Sequence, residues 1–174
     1  MEIEKIGERK LIEMIRGAYG YTWPNSDSAY VDAGKNRILI TNDAITQSTH
    51  MPSGADPVDI GYFFAAINLS DIAAMGGTPR YFMSSLILPP KLDSKYLIGL
   101  ERGMRKCLDR YNVKMIGGDL KKGRELALCK CVWLKVLEVI PYIPFGSTFT
   151  EFMTSFRSCI CSLPPFVCFN LSIR

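Results

Sequence analysis

Four aspartates stand where a chain can present a carboxylate to a shared point. Asp27 precedes a strand-like run, Asp43 follows a second one, Asp71 sits in a helical segment, and Asp119 comes directly after Gly117-Gly118. No Cys or His cluster neighbours them, so the donor set is oxygen only. Such a set suits a hard cation, and Mg²⁺ in particular is usually held by a few carboxylates together with substrate phosphates. The chemistry indicated is phosphoryl transfer. Taken one at a time, each acid also reads as a cap or turn residue.

Neither a Gly-x-x-x-x-Gly-Lys-Ser/Thr loop nor a Gly-x-Gly-x-x-Gly fingerprint occurs, so any phosphate binder is of another kind. Asp71 lies in Asn68-Leu-Ser-Asp-Ile-Ala-Ala-Met-Gly-Gly-Thr-Pro79, where its neighbours are mostly small or apolar. A carboxylate buried there without a partner is costly, so Asp71 either faces water or shares a ligand. His50, the only histidine, falls in a polar loop over residues 44–55, long enough to cover a site. It reads as a hydrogen-bonding residue or as a contact to substrate.

The elements that must position these residues follow from periodicity. Residues 7–18 form an amphipathic helix with Leu11, Ile12, Ile15 and Ala18 on one stripe. The runs 29–32 and 37–42 form a hairpin through the four-residue turn Ala33-Gly34-Lys35-Asn36, which brings Asp27 and Asp43 to one edge. Asp56-Pro57-Val58-Asp59 starts a helix that runs to about Met75, with Ile60, Phe63, Phe64, Ile67 and Ile72 as its core stripe. Gly76-Gly77 and Pro79 stop it. Residues 81–88 form a strand, and Asp93 or Ser94 caps a helix to about Tyr111. A short buried strand over 113–116 then runs into Gly117-Gly118-Asp119, whose glycines let the backbone approach a ligand. Residues 125–139 read as one long strand with a phase change near Lys130 that a bulge would explain. The expected fold is therefore α+β, a mixed four-stranded sheet with helices on one face, in the order β-β-α-β-α-β-β.

The chain has 174 residues, a hydrophobic fraction of 48% and a charged fraction of 22%, the balance of a globular chain of one domain with or without part of another. A net charge of +4, with Lys121, Lys122 and Arg124 as the only basic knot, is not the footprint of a nucleic-acid binder. The opening Met-Glu-Ile-Glu-Lys lacks the basic start and apolar core of a signal peptide, which makes the cytoplasm the expected location. The six cysteines are then expected as free thiols, and Cys-x-Cys pairs are not zinc knuckles.

From Cys129 onward the chain changes character: 6 of 46 residues are charged, against 32 of the preceding 128. No period survives beyond Val139. The longest uncharged run, Ser158–Ile173, has 16 residues and contains Pro164-Pro165, which is too short to span a bilayer. The expected division is an ATP- and metal-binding domain over 1–139 and an atypical tail over 140–174, truncated or out of frame.

Several of these segments carry a family resemblance. Glu8–Ile15, Thr41-Asn42-Asp43, Thr49-His50-Met51, Asn68–Pro79 and Gly117-Gly118-Asp119 resemble the motifs of thiamine-monophosphate kinases, members of the aminoimidazole-ribonucleotide-synthetase-like superfamily. The resemblance covers roughly residues 1–139. It implies the N-terminal domain of that fold, paired with a second copy into a dimeric barrel. It also implies ATP as co-substrate, Mg²⁺ as cofactor, and transfer of a phosphoryl group to thiamine monophosphate. Asp27, Asp43, Asp71 and Asp119 become the metal ligands, and the last three the catalytic acids. Asn68, Gly117, Gly118, Lys121 and Lys122 become nucleotide contacts, and His50 a substrate contact.

The sequence departs from the family at several points. Asn25-Ser26-Asp27-Ser28-Ala29-Tyr30 stands for Gly-Asp-Asp-Ala-Ala-Val, Gln47 stands where Glu is common, and Leu120 replaces Thr. The family's second domain has no counterpart in the tail. The alternative is a non-catalytic nucleotide-binding or dimerisation remnant of such a kinase. Hydrogenase-maturation and purine-synthesis relatives are disfavoured by the Asn-Leu-Ser-Asp segment.

Overall fold

The computed structural model describes residues 2–20, 28–34 and 36–136, with 131–136 described by backbone alone. Asp27 and the tail over 140–174 lie outside the described residues. After a 3-10 turn at Ile3–Lys5, the elements are α1 (Glu8–Tyr19), β1 (Ala29–Ala33), β2 (Asn36–Thr46), α2 (Gln47–His50), α3 (Pro57–Ala74), β3 (Tyr81–Leu88), α4 (Ser94–Arg110), β4 (Lys114–Lys122) and β5 (Ala127–Val136). The α+β class and the β-β-α-β-α-β-β order both hold. The sheet has five strands rather than four, in the order β1-β2-β5-β3-β4.

The last strand explains the count. β5 inserts between β2 and β3, antiparallel to both, while β3 and β4 run parallel because α4 crosses between them. β4 therefore ends up at an edge and is exposed along its whole length, where the glycine-bearing strand had been expected to be buried. The register irregularity lies between Phe82 and Met83 of β3 against β4. At Lys130 there is none, and β5 pairs in step with both neighbours. The charge in mid-strand is an inward-pointing side chain, not a bulge.

Burial alternates along β3, with Phe82, Ser84 and Leu86 buried and Tyr81, Met83 and Ser85 exposed, so among the described residues the helices cover one face and leave the other open. On the covered face Phe64 meets Phe82 edge to face at 6.4 Å. Around that pair Leu69, Ile72, Leu100, Met104, Leu126 and Leu128 are sealed from water, each contributing about 1.5–3 kcal/mol by burial.

α3 is the central element. Asp56 caps it by accepting from the Val58 amide at 2.7 Å, and Pro57 occupies the first turn as expected. Instead of showing one apolar stripe, every residue from Ile60 to Leu69 is buried, because the helix is enclosed between α4 and the sheet. That enclosure depends on glycine: a Cβ at Gly61 would strike the Leu100 carbonyl, and one at Gly103 the Val58 carbonyl. Gly76, at φ +73°, turns the chain out of the helix. α1 has the expected amphipathic pattern, yet it buries none of its residues against the rest of the described chain.

The 44–55 segment is more ordered than a covering loop. β2 continues to Thr46, so Asp43 lies within the strand rather than after it, and α2 follows at once. The hairpin turn is correspondingly tighter: Ala33 pairs with Asn36, leaving two residues between the strands, with Gly34 at φ +66°.

Candidate active site

Asp71 occupies the last turn of α3, half-buried, with β2 and the residue just before β1 tied to it. The Thr41 hydroxyl donates to Asp71 Oδ2 at 3.2 Å, and the Ser28 hydroxyl donates to the Asp71 carbonyl at 3.3 Å. Thr41 and Ser28 are themselves 3% and 4% exposed, so both hydroxyls act from dry positions. The acid is thus held in place, and its burial is compensated by hydrogen bonds.

Thr41 and Asp43 are two residues apart on β2 and so share its helix-facing side. Asp43 therefore joins Asp71 in one neighbourhood, with its Oδ1 accepting from the Ala44 amide at 3.0 Å. The cross-strand row through Asp43 continues to Lys130, Ser84 and Gly118. Asn68, one turn before Asp71 on α3, has no exposure at all, and neither atom of its amide finds a partner among the described residues.

Lys130 is the unexpected member. Its Nζ donates to the Phe64 carbonyl and, at 3.0 Å, to that of Ala65, and it faces the rings of Phe64 and Phe82 at 4.6 and 4.8 Å. Burial pushes its pKa well down, while Cys107, Asp43 and Asp71 pull it back up. The signal was present in the sequence: Leu126, Leu128 and Lys130 keep a period of 2 that turns all three side chains inward.

Asp119 stands apart. It pairs with Ser85 in the neighbouring row, on the sheet's open face, and forms an ion pair with Lys121 at 3.1 Å. Gly117, Gly118 and Asp119 itself line a cleft of about 210 Å³ with Ser84, Glu101 and Leu120, and burial pushes the Glu101 carboxyl up. Gly118 is required there, because a Cβ would strike the Ser84 carbonyl. Lys122 is exposed at the end of the same strand.

His50 is exposed on α2. Its Nδ1 accepts the Thr46 amide at 3.2 Å and lies 2.6 Å from the Thr49 hydroxyl, which leaves the proton of the neutral ring on Nε2. The Ser48 amide donates to Glu125 and the Leu126 amide to Gln47, fastening this corner to the start of β5. The described residues thus bring Asp43, Asp71 and Asn68 together on the helix side and leave Asp119 with Lys121 on the other. No three of their His, Cys, Asp or Glu side chains converge on one point.

A buried helix that ends in a tethered aspartate, set on a mixed sheet with a Gly-Gly-Asp edge strand, defines a recognisable half-domain. Residues 25–132 match the N-terminal domain of AIR synthase related proteins, and the chain belongs to that family. Within it the chain has relatives that are thiamine-monophosphate kinases. The chain is similar to those of Pyrococcus horikoshii, at 32% identity over 124 residues, and Buchnera aphidicola of Acyrthosiphon pisum, at 35% over 120. These alignments take in 71% and 68% of this chain but only 40% and 35% of the relatives, so the chain spans less than half their length.

Solved structures share the fold. AaThiL complexed with AMPPCP and TMP superposes with a TM-score of 0.74 at 24% identity, over 78% of this chain and 44% of that one. The hydrogenase-maturation HypE–HypF complex gives 0.61 at 18%, over 74% and 42%.

Proposed function

We propose that this chain supplies the ATP- and metal-binding half of a thiamine-monophosphate kinase, which moves a phosphoryl group from ATP to thiamine monophosphate. The observation that carries the reading is the Asp71 carboxylate, fixed by Thr41 beside Asp43, in a chain whose curated relatives carry that name. A phosphate oxygen of the acceptor is the nucleophile, so no activated serine or cysteine is needed. Catalysis consists of positioning and charge neutralisation.

The donor set fits Mg²⁺ in part. Asp43 and Asp71 offer the one or two carboxylates that this ion usually takes from protein, while Asp119 is directed to the other face. Bound there, Mg²⁺ would neutralise phosphate charge. Thr41 and Ser28 orient Asp71, the Gly117–Gly118 backbone admits close approach at the cleft, and Lys121 and Lys122 supply positive charge along β4. Asn68 offers an unpaired amide on the nucleotide side, and His50 presents Nε2–H toward the acceptor. Asp27 belongs to the same proposed set by sequence. Mg²⁺, a cytoplasmic location and a homodimer complete the reading; Tyr81 and Met83, 45% and 37% exposed on the open sheet face, support the dimer.

Formation of thiamine diphosphate from ATP and thiamine monophosphate, assayed with and without Mg²⁺, tests this. Mg²⁺-dependent product supports the kinase. Tight binding of an ATP analogue with no turnover contradicts it and favours a nucleotide-binding remnant.

A further inference from the structure

Lys130 is a charged side chain at a position where the strand asks for an apolar one. It is 2% exposed, it donates to the Phe64 and Ala65 carbonyls, and two aromatic faces flank it. Carbonyl oxygens and ring faces are what a cation takes in a dry site. Its location is the informative part. The two carbonyls belong to α3, upstream of Asp71 on the same helix, and Lys130 itself stands directly across the β2–β5 ladder from Asp43. Lys130 therefore shares the helix-covered face with both acids that are proposed to hold the metal, across the ladder from Asp43 and about two turns of α3 before Asp71, and the proposed phosphoryl transfer makes no use of it.

We propose that Lys130 is a built-in positive charge of the Asp43–Asp71 edge, one that offsets the two carboxylates from the protein side and weakens their hold on a divalent cation. The inference rests on the reading that these acids engage Mg²⁺. The opposing charges act across a largely desolvated layer, so removing the amine changes cation affinity by roughly tenfold. The chain thus carries part of its counter-charge covalently.

The test is Mn²⁺ binding to the full nucleotide-free chain by calorimetry, comparing wild type with Lys130→Met, Lys130→Gln, Asp71→Asn and the double variant Lys130→Met/Asp71→Asn. Met matches the length and apolar volume of the lysine stem, and Gln keeps a neutral donor for the two carbonyls should Met fail to fold. The expected result is Mn²⁺ affinity roughly tenfold tighter in either single Lys130 variant, with the gain abolished by Asp71→Asn. Equal affinity in wild type and the Lys130 variants, with Asp71→Asn weakening all of them, overturns the inference and leaves the metal reading intact. If Asp71→Asn weakens none of them, both fall, because there is then no carboxylate edge for the amine to offset.

Discussion

The Thr41 hydroxyl donates to Asp71 Oδ2 at 3.2 Å, joining the middle of β2 to the last turn of α3 across 30 residues of sequence. Thr41→Val keeps the shape and removes the donor, taking one hydrogen bond from a half-buried carboxylate. The expected loss is about 1–3 kcal/mol of stability, and Thr41→Ser should recover most of it. Urea denaturation of the three proteins reads the difference.

Gly103 permits the close approach of α4 to α3, since a Cβ there would meet the Val58 carbonyl. Gly103→Ala should cost about 1–3 kcal/mol, because the whole helix pair must shift to relieve the clash. Gly17→Ala is the internal control: it lies in α1 with open space around its Cβ, and should be neutral or stabilising by up to about 1 kcal/mol. Thermal melts distinguish a packing penalty from a general intolerance of substitution.

Much of this framework was legible from local chemistry. Asp56-Pro57 as a helix start, Asp93 as a cap and the strand over 81–88 all depend on neighbours in sequence, and the structure has them where propensity and capping place them. What depended on distant partners was misjudged. The strand over 125–139 is readable locally, but its insertion between β2 and β3, which sends β4 to the edge, is announced by no local pattern. From sequence Lys130 reads as a break in phase because a charge in a strand usually faces water, whereas Phe64, Phe82 and two helix carbonyls receive it inside. The sequence presents the aspartates only as residue types, and strand alternation decides which of the described ones can meet. Asp119 follows Gly118 by one residue and so faces the opposite side from Asp43.

Lys130 also makes stability depend on pH. Its folded pKa lies below the 10.5 of the free side chain, through burial against Phe64 and Phe82, with Cys107, Asp43 and Asp71 opposing the shift. Between the folded value and 10.5 the unfolded chain binds more protons, so stability rises with pH across that interval. The penalty is fully present below the folded pKa and is lost as pH rises through the unfolded one. Lys130→Met removes the group, so its stability advantage over wild type should be largest at low pH and shrink toward pH 10.5. Parallel denaturation series of the two proteins measure the narrowing gap directly.

The central claim is that Asp71 holds a metal-bound nucleotide, and titration of a non-hydrolysable ATP analogue with and without Mg²⁺ addresses it most directly. Asp71→Asn is the matched variant, because an amide oxygen still accepts from Thr41 and preserves the tether. Wild type should bind the analogue in a Mg²⁺-dependent manner. Asp71→Asn should weaken that binding roughly tenfold or more, with its melting temperature nearly unchanged. Binding indifferent to Mg²⁺, or an Asp71→Asn variant that keeps full affinity while losing stability, would contradict the account and make Asp71 a structural acid.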